Sequence, residues 1–109
     1  MSRSPAIIKV LPRAIHETAE QAAYYREKAT SQVAERWRSA VNDAIRSLRV
    51  FPARSPLVNS ADIRWRGLRK HHVNGFPAHL IFYRYEAETN TVFIVRILHG
   101  ARDMDRLLG

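Results

Sequence analysis

The chain contains no cysteine. Disulfides and thiolate-held metal sites are thereby excluded, and stability must come from a hydrophobic core. Long apolar runs are missing as well: LIFY and VFIV are far too short to cross a bilayer. The N-terminus shows no apolar stretch of signal-peptide length. Glycine is scarce, at four residues, and these form no phosphate-cradling loop. Acidic residues are outnumbered, 10 against 18 basic, for a formal net charge of +8. Lysine is reduced to Lys9, Lys28 and Lys70, so arginine carries most of the positive charge. The expectation is a soluble, cytoplasmic protein with a single domain over residues 1–109, no membrane partner and no cofactor.

What is present favours an anionic partner. A surplus of arginine, spread over both halves of the chain, suits phosphate or carboxylate, which the planar guanidinium meets with two donors. Hydrophobic residues make up 46% of the chain, enough for one core. No repeat and no Gly/Ser linker divides it, and only MSRS reads as a frayed tail.

AIIKVL, residues 6–11, reads as a short buried strand ended by Pro12. A helix is expected over residues 13–28, with Ile15, Ala19, Ala22 and Ala23 on its core face. Thr30 or Ser31 can cap a second helix. Its apolar stripe is Val33, Trp37, Ala40, Ala44, Leu48 and Phe51. Few residues join the two helices, which predicts an antiparallel hairpin. Residues 51–62 hold two prolines, two serines and an asparagine and read as a loop.

Three strands should follow. The first is RWRGLRKHHV, bent at Gly67, with Arg64, Arg66 and Lys70 on one face and Trp65 turned inward. After a turn at Asn74–Gly75 comes residues 76–85, and after AETN comes residues 91–99. GARDMDRLLG is expected to form a turn and a short helical tail, with Asp103 capping it or pairing with Arg102. The fold class is α+β, in the order β-α-α-β-β-β with a short C-terminal helix, the hairpin covering a mainly antiparallel sheet.

Several segments resemble the ParE branch of the RelE/ParE superfamily of toxins from type II toxin–antitoxin systems. They are the loop 52–56, Leu68–Arg69, FPAHLIFYRY and RILHGARDMDRLL. The resemblance covers almost the whole chain. It implies a compact toxin, neutralised by a cognate antitoxin and serving plasmid or genome stabilisation. ParE-like members are linked to poisoning DNA gyrase, and RelE-like members to cutting mRNA on the ribosome. Fold alone does not choose between them.

Metal-free RNA cleavage needs a base, a cation at the phosphorane and an acid. By resemblance to the nucleases, Arg102 matches the arginine after the last strand, and Lys70 and Arg69 lie near the middle-strand basic positions. Leu80 and Ile81 stand where an arginine is expected, and Leu108 where a tyrosine is. His99 is the remaining acid/base candidate; its alternative role is to hold the tail by a hydrogen bond. The expectation is therefore a binding toxin whose target-facing residues are Arg64, Arg66, Arg69, Arg96, His99 and Arg102. Trp37, Arg69 and Lys70 are candidates for antitoxin contact, although Trp37 also fits the core stripe. Arg96 stands alone in an apolar strand and should make a buried polar contact. The rival reading is an mRNA endonuclease using His99, Arg102 and Lys70. A third is a degenerate toxin that only binds antitoxin. His71 and His72 are strand neighbours, so they should point to opposite faces, and no metal site is expected.

Overall fold

The computed structural model describes residues 4–59 and 61–100. The elements are β1 (Ile7–Val10), α1 (Pro12–Lys28), α2 (Ser31–Val50), a single 3-10 turn (Ile63–Trp65), β2 (Arg69–Val73), β3 (Phe76–Glu86) and β4 (Thr91–His99). The expected C-terminal helix, with Arg102, Asp103 and Leu108, lies outside the described residues. The sheet order is β1-β4-β3-β2. Among the described residues only the β1–β4 pair is parallel, and β2 is an outer strand.

Local signals place most boundaries. Pro12 occupies the first turn of α1, where its missing N–H is no loss. The hydroxyl of Thr30 accepts from the Val33 N–H at 3.0 Å and starts α2. Gly75, at φ +85°, lets the chain reverse between β2 and β3. Asn90 takes φ +49° at the next reversal. Its side chain accepts from Tyr85 Oη at 2.8 Å and donates to the Ser4 carbonyl at 2.9 Å, which ties the start of β1 to the β3–β4 turn.

Two apolar clusters lie on the two faces of the sheet. Under the helices, Trp37, Val41 and Leu48 pack with Ile81, Tyr83, Val92, Ile94 and Ile97. On the other face, Leu80, Phe82 and Leu98 pack with Leu68 and are covered by Val58 and Trp65 from the long loop. This explains why β3 and β4 read as apolar on both pleat faces. The register shift in the β3–β4 pair lets Tyr83 oppose Ile94 while Phe82 opposes Arg96. Ile94 and Ile97, three apart, can then both reach the helix-side core.

Four expectations need correction. Strand β1 is not buried: Ile7 is 56% exposed and the strand alternates. It is the other outer strand, paired on one side only. In α1 the buried alanines are Ala14 and Ala22, while Ile15, Ala19 and Ala23 face out. The helix is rotated because Tyr25 turns inward, its ring against Trp37, Phe76 and His79, and because Glu17 is engaged by β4. Phe51 is 57% exposed just past the end of α2 and leaves the stripe. Residues 64–68 are not strand. Asp62 caps the 3-10 turn over Arg64, and Gly67 at φ +80° redirects the chain, so Arg64, Arg66 and Lys70 share no strand face.

Candidate functional site

The basic stretch 64–72 is divided by the fold into three parts. In the first, Arg64 donates to both carboxylate oxygens of Asp62; Arg64 is exposed and Asp62 partly so. That hydrogen bonding holds the Asp62 carboxyl down to about 2. Arg84 of β3 reaches across to the carbonyls of Arg64 and Arg66. Arg66 itself is exposed.

In the second part, Arg69 donates to the carbonyl of Ser55 at 2.6 Å and to that of Ala53 at 3.4 Å. It therefore pins the long loop to the start of β2. The backbone helps: Lys70 N–H donates to Pro56, and Val58 N–H donates to Leu68. The Lys70 side chain shares its face with Phe82, opposite it in β3.

The third part is His71 and His72. Both line an open groove of about 860 Å³ between α2 and the outer strand. Strand alternation alone would separate them, but β2 is a sheet edge and its register breaks between His72 and Val73. The Nδ1 of His71 lies 2.7 Å from the hydroxyl of the buried Ser55. Burial, then the positive charges of Arg54 and His72, push His71 below the ordinary histidine range and favour its neutral form. His72 Nδ1 lies 3.3 Å from the Pro77 carbonyl. A carbonyl only accepts, so Nδ1 carries a proton there. Arg36 from α2 and Arg54 from the loop complete the positive lining. Neither arginine was singled out by sequence. The available signal was Arg36, Ser39, Asp43 and Ser47 at spacings of three and four, a polar stripe beside the apolar one.

The other candidates lie elsewhere. Arg96 Nε and Nη2 both donate to one oxygen of Glu17, at 2.8 and 2.6 Å, and the other oxygen accepts from the Ile97 N–H at 3.0 Å. The buried polar contact expected for Arg96 is thus present, and it joins β4 to α1. His99 ends β4 opposite His79, with the two rings 5.2 Å apart and nearly perpendicular. Tyr25 Oη lies 2.8 Å from His79 Nε2, behind that pair. Trp37 is completely buried, 4.3 Å from the His79 ring, and offers no surface to a partner in this conformation. Arg102 lies outside the described residues.

Comparison with known proteins gives a decisive match. The family model of the ParE toxin of type II toxin–antitoxin systems, parDE, aligns with residues 8–104. The chain belongs to the ParE toxin family. No curated protein matches it significantly in sequence. Among solved structures, this ParE-family chain is similar to one from the chromosomal ParDE system of P. aeruginosa. The TM-score is 0.71 at 12% identity, over 89% of this chain and 98% of that one. It is also similar to a chain of the toxin–antitoxin complex RelBE2 from Mycobacterium tuberculosis. There the TM-score is 0.57 at 17% identity, over 90% of this chain and 94% of that one. The two similarities establish the fold, a helix hairpin on a four-stranded mixed sheet. Together with the family match they make the chain a type II toxin whose class works with an antitoxin partner.

Proposed function

We propose that this toxin arrests growth by binding and poisoning DNA gyrase, and that a cognate antitoxin relieves the arrest. The ParE family match favours this target. The observation that carries the reading is how the basic candidates are engaged. Arg69 holds a loop by its carbonyls and Arg96 is clamped to Glu17, on strands separated by β3. His99 abuts His79. These three groups are engaged within the fold in different places, which supports a binding role over acid–base chemistry for them. An antitoxin has a surface to cover: Ile15, Ala19 and Ala23 form an uncovered apolar stripe on α1. An antitoxin helix laid on that stripe, followed by an extended arm over the hairpin and sheet, would bury it.

The test is a gyrase supercoiling assay with purified, antitoxin-free protein, also scored for trapped cleaved DNA. Inhibition reversed by antitoxin is expected. If folded, antitoxin-competent protein leaves gyrase untouched, the reading fails. Cleavage of ribosome-bound mRNA would then point to the nuclease, and no growth arrest on expression alone to the degenerate toxin.

A further inference from the structure

The groove between α2 and the β2 edge concentrates cationic and hydrogen-bonding groups. Arg36 and Arg54 have no carboxylate partner among the described residues. The one acidic residue in the lining, Asp43, lies 3.7 Å from Arg46. His71 and His72 sit across from α2. Burial lowers His71 most, and the neighbouring Arg54 and His72 act in the same direction.

The spacing of the cations says what kind of anion fits. Arg36 lies one residue from Trp37, which packs on Phe76 at the β2–β3 turn. Arg54 adjoins Ser55, which bonds His71 near the middle of β2. Between these ends α2 rises about 16 Å from Arg36 to Ser47, at 1.5 Å per residue. Two arginines toward the two ends of the groove call for an anion with more than one negative charge, which a chain of regularly spaced phosphates supplies. An acidic peptide adding as a further strand is disfavoured. The first half of the β2 edge is already taken by residues 56–58, through Lys70 N–H to Pro56 and the bridge of Leu57 to Arg69.

We propose that this groove binds the phosphodiester backbone of nucleic acid, with Arg36 and Arg54 as terminal phosphate contacts and His71 and His72 between them. The toxin would thus touch nucleic acid directly, with or without gyrase. Because each arginine neutralises one phosphate, binding must weaken with salt. It must also strengthen on mild acidification. An anion in the groove favours the protonated form of His71, against Arg54, Arg36 and His72, which oppose it, with Asp43 acting in the same sense as the anion.

The experiment is fluorescence anisotropy of the full, antitoxin-free chain with three labelled probes: a duplex DNA of about 20 base pairs, a single-stranded DNA and a single-stranded RNA of matching length. Arg36→Gln and Arg54→Gln should each weaken the preferred probe several-fold and lower the salt slope by about one. Arg26→Gln, at the exposed end of α1, should change neither, and affinity should rise from pH 7.5 to pH 6. Thermal melts identify any variant that is not folded, and Arg36→Lys and Arg54→Lys, which keep the charge, should keep most of the salt slope. The preferred probe separates duplex from single-stranded sources of the same chemistry. No binding to any probe at low salt overturns the proposal. So does an equal loss in Arg26→Gln, which would mean diffuse charge, or a poly-glutamate peptide that outcompetes every probe. None of these outcomes alters the gyrase result, which is read with a different partner.

Discussion

Glu17 accepts three hydrogen bonds from β4, two from the Arg96 guanidinium and one from the Ile97 N–H, at a site where both side chains are mostly buried. Removing one partner of such a pair leaves the other charge without compensation, at a cost of about 3–5 kcal/mol. Glu17→Ala should therefore lower Tm by more than about 10 °C, since a domain of this size loses about 4–8 °C per kcal/mol. A double-mutant cycle with Arg96→Ala should show strong coupling, and independent effects would show the clamp to be unimportant. The same clamp makes loss of toxicity in Arg96→Ala a sign of unfolding until a melt has been recorded. His71 gives a residue-scale pH dependence. Its folded pKa lies below the ordinary 6.5. Its contribution to stability is then complete above pH 6.5 and is lost as pH falls through the folded value, because only the unfolded chain takes up the proton readily. Melts between pH 7.5 and 5 should show a shallower acid loss in His71→Gln than in the parent.

At the scale of elements, α1 is the informative case. A helix rich in alanine carries little information on which side is buried, and its inward face here includes Glu17, Thr18 and Gln21 with Ala14 and Ala22. Orientation is decided by Tyr25 and Glu17, whose hydrogen-bond partners His79 and Arg96 are at least fifty residues away in sequence. Ala22→Leu should cost about 1–3 kcal/mol by overpacking, whereas Ile15→Ser should stay within about 0.5 kcal/mol. Urea unfolding of both variants reads the rotation directly; the reverse ranking would restore the orientation expected from hydrophobic spacing. Helix α2 was easier to read. Trp37, Ala44 and Leu48 of its expected stripe are buried, joined by Ala34 and Val41, which the spacing left out, while Val33 and Ala40 are only half-buried.

For the whole molecule, the surplus of arginine and the uncovered stripe on α1 describe a chain that is completed by partners. Antitoxin that binds only the folded toxin should raise Tm in proportion to the logarithm of its concentration, with about 2.7 kcal/mol of stabilisation at one hundred times Kd. Differential scanning fluorimetry along an antitoxin titration measures this. An Ile15→Asp variant, unchanged alone, should show a much smaller shift. An undiminished shift would move the antitoxin off α1.

Signals confined to neighbouring residues were legible in the sequence. The element order, the β4 limits at residues 91–99, the reversal at Asn74–Gly75 and the Thr30 cap all follow from local periodicity and turn chemistry. The family resemblance likewise rested on short segments. The fate of RWRGLRKHH was not legible. Whether its charges form one surface depends on Asp62 starting a turn, on Gly67 taking a positive φ, and on Arg69 meeting carbonyls of residues 53 and 55. By itself the sequence determined the order of the described elements and the sign of the net charge, because propensity and net charge are sums over nearby or unordered residues. Only the tertiary structure decided which side of α1 is buried, that Glu17 and Arg96 meet, and that His71 and His72 share a groove with Arg36 and Arg54. Each of those is a contact between segments far apart in the chain, and no local pattern encodes it.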